Sequence, residues 1–162
     1  MPLLKDGAEI GNVWTYLDDE AELKTEQAVT LPLARFLAEA ETLAGRNVPV
    51  GVRLVPDDDV ELLVPFIEWI QLIEVSFPKY TDGRGYSQAQ LLRRRHGYLG
   101  ELRAVGHVLR DQIFYMNRSG FDAYETARAD LSGVLEALNE FRDAYQPAAD
   151  GRAPAFRQRH GN

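Results

Sequence analysis

The sequence predicts an α/β fold, a mostly parallel sheet of four to five strands with alternating helices. Three observations carry that expectation. Strand-like and helix-like segments alternate about four times after residue 48. The links between successive strand-like segments are too long for hairpins. Glycine, proline and capping residues fall at the junctions. Such a pattern calls for parallel strands with right-handed crossovers, as an open sheet or as a partial βα-barrel. The open sheet is the preferred form, because four or five strands are too few to close an eight-stranded barrel.

The first strand is expected within residues 10–17, Ile-Gly-Asn-Val-Trp-Thr-Tyr-Leu, at an edge and stopped by Asp18-Asp19-Glu20. Residues 31–44 then carry helical spacing, with Leu33, Phe36, Leu37, Ala40, Leu43 and Ala44 on one face. Thr30 suits its N-cap, Pro32 its first turn and Gly45 its end. The β-branched run Val48–Val55 is the second strand. Asp57, Asp58 and Asp59 suit the N-terminus of a helical segment over 60–70, which Pro65 should kink or divide. Leu72–Phe77 is the third strand.

A polar stretch follows, Lys79-Tyr80-Thr81-Asp82-Gly83-Arg84-Gly85-Tyr86-Ser87. Ser87 with Gln90 three residues on reads as the capping box of a helix over 88–96, closed by Gly97. Leu102–Val105 is the fourth strand, a helix runs from Val108 towards Gly120, and 121–125 is the last strand. The final helix covers 129–145, burying Leu131, Val134, Leu135, Leu138, Phe141 and Tyr145. The domain expectation is therefore one α/β domain over 1–146 and a flexible C-terminal tail over 147–162.

Composition excludes several chemistries. The chain has 162 residues and no cysteine, which removes disulfides, a thiolate nucleophile and any cysteine-ligated metal or iron–sulfur cluster. A redox role would need an organic cofactor or a partner's metal centre; the sequence identifies neither. His96, His107 and His160 have no metal-ligand spacing. No apolar run approaches the roughly 20 residues that span a bilayer, and no signal-peptide core opens the chain, so a cytoplasmic location without membrane contact is expected. Net charge is −7 but uneven: residues 1–75 hold five Lys/Arg against fifteen Asp/Glu, and residues 76–119 hold eight against three. A basic middle in an acidic chain suggests a local anion or an acidic partner rather than nucleic acid. Solvated helix faces are the alternative explanation of the same arginines.

Ligands of parallel α/β folds bind outside the carboxyl ends of the strands. The first such end offers Lys79, Asp82, Arg84 and the glycines Gly83 and Gly85, whose backbone could cradle an oxyanion beside the Ser87 helix. The second offers His107, Arg110, Asp111 and Gln112; His107 would be a neutral first-turn histidine able to act as a base. Glu125 and Thr126 stand at the third. Asp82, His107 and Asp111 are the catalytic candidates, and Lys79, Asp82, Gly83, Arg84, Gly85, Ser87, Arg110 and Gln112 are the ligand-binding candidates; no metal ligands are identified. The arginine run Arg93-Arg94-Arg95 complements the C-terminal dipole of its helix, or forms an anion site.

The segments Asp82-Gly83-Arg84-Gly85-Tyr86-Ser87, Gly100-Glu101-Leu102-Arg103-Ala104-Val105-Gly106, Leu109-Arg110-Asp111-Gln112 and Gly120-Phe121-Asp122 occur in order. Through them the chain resembles an uncharacterised bacterial family encoded beside assimilatory sulfite reductase, whose members are labelled as oxidoreductases of sulfite reduction. The resemblance is dense over 72–125. Two positions depart from its commoner pattern: His107 stands where an acid is expected, and Ser119 where many relatives carry cysteine. The resemblance implies an accessory protein supporting sulfite reduction, binding a small anion or sulfite reductase itself at the Lys79–Ser87 loop. The alternatives are a small α/β enzyme acting on a phosphorylated or sulfonated metabolite, and a structural subunit docking through its basic strip. No catalytic motif decides whether the protein is an enzyme.

Overall fold

A computed structural model describes residues 1–24 and 26–145, with the backbone alone described over 141–145. It contains eight strands: β1 Leu3–Lys5, β2 Ala8–Ile10, β3 Trp14–Tyr16, β4 Ala28–Pro32, β5 Val50–Leu54, β6 Leu72–Phe77, β7 Glu101–Gly106 and β8 Ala123–Glu125. The helices are α1 Leu33–Ala38, α2 Ala40–Ala44, α3 Arg84–Gln90, α4 Ile113–Ser119 and α5 Leu131–Tyr145. The strand order is β2-β1-β8-β7-β6-β5-β4-β3. From β3 to β8 every neighbour is parallel and consecutive in sequence, whereas β1 joins β8 and β2 antiparallel. The α/β class and the parallel core agree with the sequence. The strand count does not, and the partial βα-barrel describes the arrangement better than the open sheet.

β1 and β4 are short and lie against partners remote in sequence, β8 and β5, while β2 is a three-residue edge strand paired to β1 across the Asp6-Gly7 turn. Thr30, expected as an N-cap, lies in β4 and is paired to β3 and β5. The strand expected over 10–17 is interrupted by Gly11-Asn12-Val13 and becomes the two edge strands β2 and β3. The helix expected over 31–44 starts at Leu33 and breaks at Glu39. The segment after Asp59 is a 3₁₀ turn, Val60–Phe66, containing Pro65. A tail over 147–162 lies outside the described residues.

The position of β2 and β3 dictates the shape. They occupy opposite edges of the sheet, yet only three residues separate them. A flat sheet of this many strands would be roughly 34 Å wide, at about 4.8 Å per strand. Four peptide steps from Ile10 to Trp14 span at most about 14 Å. The sheet must therefore roll until its edges approach one another.

Burial fits this geometry. Side chains of Val52, Leu54, Ile73, Val75, Phe77, Leu102, Ala104 and Tyr124 point to one face, where they pack with Phe36, Ala89, Leu92, Ile113, Met116 and Val134 of the helices. The alternate positions Thr30, Leu72, Glu74, Arg103, Val105 and Ala123 face the other way, and they too are buried. None of these six belongs to the helix-packed core. Their cover is the sheet's own curvature together with the 11–13 link.

At the carboxyl ends, Gly106 has φ +97, and a Cβ there would lie 2.6 Å from the Phe77 carbonyl oxygen. Only glycine allows β7 to turn away so close to β6. Replacing Gly106 with alanine should cost about 2–4 kcal/mol, combining left-handed strain with a backbone clash; urea unfolding of the purified variant measures it.

Candidate functional site

The expected site residues lie on the carboxyl-end rim, and two of the three strand ends are brought together. The His107 N–H donates to Phe77 O at 2.8 Å. Gln112 Nε2 donates to Tyr80 O at 2.8 Å, while its Oε1 accepts from Leu109 N at 3.3 Å. Gln112 thus ties the loop after β7 to the loop after β6.

Within the Lys79–Ser87 loop the chemistry is self-contained. Helix α3 begins at Arg84, not at Gln88, so Ser87 sits inside it and caps nothing. The capping role falls to Asp82, whose Oδ1 accepts from Arg84 N at 3.0 Å. The Arg84 guanidinium closes back on the same carboxylate, with Nη2 to Oδ2 at 2.7 Å, and its Nη1 reaches Asp57. Hydrogen bonds from the Arg84 side chain and backbone hold the Asp82 carboxyl well below its ordinary value, at about 2. The anion at this helix start is the protein's own.

Neither Gly83 nor Gly85 has positive φ, and only Gly85 is held by packing. A Cβ on Gly85 would lie 2.7 Å from two carbons of the Phe77 ring, so this position lets α3 lie close on β6.

The remaining candidates diverge. Arg110 turns to α5, 3.0 Å from Glu136 and 3.3 Å from Glu140. Asp111 is exposed in the 3₁₀ turn that precedes α4. His107 is exposed in a loop six residues before α4, so it does not open a helix and the dipole argument for it falls away. Lys79 O accepts from Asp82 N at 3.1 Å, and among the described residues its side chain makes no hydrogen bond or ion pair. Ser119 is buried and its hydroxyl donates to Tyr115 O at 2.8 Å.

The arginine run separates by depth. Arg93 is structural: its Nε donates to Gly120 O at 2.9 Å, and its Nη1 to Tyr98 O and Gly100 O, both at 2.8 Å. Arg94 and Arg95 stay outside and, with Ser87, Gln90 and Leu91, line an open groove of about 390 Å³. Arg95 meets Glu61 only at 4.0 Å, and Arg94 has no partner among the described residues. The helix there has widened into a π turn over Leu91–Arg95, which fans these side chains out at the surface.

A second polar group lies inside the rolled sheet. Arg53, Glu74 and Arg103 occupy one register row on β5, β6 and β7. Arg53 donates from Nε and Nη2 to the two Glu74 oxygens at 3.3 and 3.1 Å, and its guanidinium lies 4.0 Å from the Tyr16 ring centroid. Arg103 reaches Glu101 at 3.1 Å, Asn12 at 3.2 Å and Glu74 at 3.9 Å. Lys5 approaches Glu101 at 4.0 Å. Sequence reasoning passed over these residues, but a signal existed. Val-Gly-Val-Arg-Leu, Leu-Ile-Glu-Val and Glu-Leu-Arg-Ala-Val each place a charge inside an apolar strand. Among the described residues, no group of three or more His, Asp or Glu side chains is placed to hold a metal, and no helix is long and apolar enough to cross a membrane.

The Asp82 cap sets a pH dependence. A carboxyl whose folded pKa is depressed stabilises the fold above its unfolded pKa and loses that contribution as pH falls through the folded value. The melting-temperature gap between wild type and Asp82→Asn should stay constant from neutrality to about pH 4.5 and shrink towards pH 2. Thermal melts of both proteins across that range test it.

No curated protein matches the chain. A family profile matches residues 51–156, which include β5 to β8, the Lys79–Ser87 loop and the α3 groove. The chain therefore belongs to a bacterial protein family of unknown function, DUF934.

Proposed function

We propose that this protein is an accessory protein of assimilatory sulfur metabolism that supports sulfite reduction by docking on the reductase. The sulfur connection comes from the motif resemblance. The manner of action comes from one observation: Arg94, without a partner among the described residues, and Arg95, 4.0 Å from Glu61, line the α3 groove beside the half-exposed Leu91. The rim arginines are otherwise committed, Arg84 to Asp82 and Asp57, and Arg110 to α5. A free oxyanion at the Lys79–Ser87 loop would have to displace Asp82 from its own arginine. An acidic, partly apolar segment of a partner would meet no such competitor at Arg94, and at Arg95 only Glu61, 4.0 Å away. Exposed charge pairs of this kind contribute mainly to encounter rate and orientation, so the association should be sensitive to salt.

The expected result is co-purification of sulfite reductase with the tagged protein at low salt, loss of it at high salt, and loss of it in Arg94→Glu/Arg95→Glu. Retention of the reductase by the charge-reversed variant would remove the groove from the reading. Deleting the gene should impair growth on sulfate or sulfite and leave growth on sulfide intact. Unimpaired growth on sulfate would remove the link to sulfite reduction.

A further inference from the structure

We infer that the polar row inside the rolled sheet is a binding site for a small oxyanion, held by Arg53 and Arg103. Three observations point to a ligand rather than to a completed ion-pair network. The central pair is loose: Arg103 Nη1 stands 3.9 Å from Glu74, beyond hydrogen-bond reach. Arg103 is 1% exposed, and its Nε is buried without a hydrogen-bond partner. Arg53 uses Nε and Nη2 on Glu74 and leaves Nη1 uncommitted.

A buried donor without a partner is costly to keep, because it has lost water and gained no acceptor. A fold keeps such groups where something else completes them. One oxyanion supplies the acceptor that the free N–H groups lack. Guanidinium donors match carboxylate and tetrahedral oxyanions in geometry. Glu74 lies between the two arginines and holds the plane of Arg53, on which the Tyr16 ring stacks.

A route from solvent exists. The Arg53 side chain is 24% exposed and that of Lys5 is 34% exposed, whereas Glu74 and Arg103 are at 2%. These two half-open residues lie towards opposite edges of the sheet, on β5 and on β1. The link between the edges is the 11–13 segment, whose three residues are exposed and whose Asn12 side chain reaches Arg103. A small ion entering beside Tyr16 reaches Arg53 first and Arg103 behind it.

The test uses the whole chain, with sulfate, phosphate and acetate as separate probes and ionic strength held constant with chloride. Trp14 lies two residues from Tyr16, and its emission in a Trp69→Phe background reports the site directly. We expect saturable emission change and a rise in melting temperature with at least one probe. Both should be lost in Arg53→Gln and retained in Arg118→Ala, which removes an exposed arginine elsewhere. Acetate against sulfate and phosphate separates a carboxylate ligand from a tetrahedral one. Arg103→Lys removes the free Nε and should weaken binding at least tenfold; if it does not fold, Arg53→Gln decides. No saturable response to any probe, or an undiminished response in Arg53→Gln, overturns the inference and leaves a water-completed ion-pair network. Because the groove plays no part in this experiment, its failure is independent of the docking reading.

Discussion

Everything distinctive about this fold depends on the shortness of one connection. Gly11-Asn12-Val13 joins strands that sit at opposite edges of an eight-stranded sheet, and so short a link forbids a flat sheet. Curvature then buries a second face that no helix covers. Into that face the sequence puts Arg53, Glu74 and Arg103, at matching register on adjacent strands. In the interior of a βα-barrel such positions usually hold branched apolar side chains. Here the apolar share falls to Leu3, Leu72, Val105 and Ala123, and the charges occupy the row between.

The parallel core was legible because its strands carry local signals. Leu72–Phe77 is found at its predicted limits, and the left-handed Gly97 and Gly120 follow their helical segments as stop signals should. β1 and β4 were not legible, since each is short and depends on a partner far along the chain, and β2 is only three residues paired to β1. The Ser87–Gln90 spacing imitated a capping box because Ser and Gln also occur inside helices. What it lacked was the knowledge that Asp82 already held the preceding N–H.

The site was legible as a place and less so as chemistry. Sequence order brought the loops after β6 and β7 to one rim, and Gln112 joins them. It could not reveal which cations were already paired. Arg84, Arg93 and Arg110 look alike in sequence to Arg94 and Arg95, yet the first three are bound to carboxylates or carbonyls of their own chain. Availability is set by tertiary partners. It separates a groove able to receive an acidic partner from a rim that mainly fastens itself.

The pairing of β1 with β8 has a kinetic side. Leu4 lies opposite Tyr124, so β1, paired locally to β2, must wait for β8 before the two can join. Until then β8 has an open edge, and the inner face with its arginines and glutamate stays in water. Loop closure over such a separation is entropically costly and delays long-range pairing. β1 is thus a late clasp: it is made well before β8, and their pairing covers that edge of the parallel core.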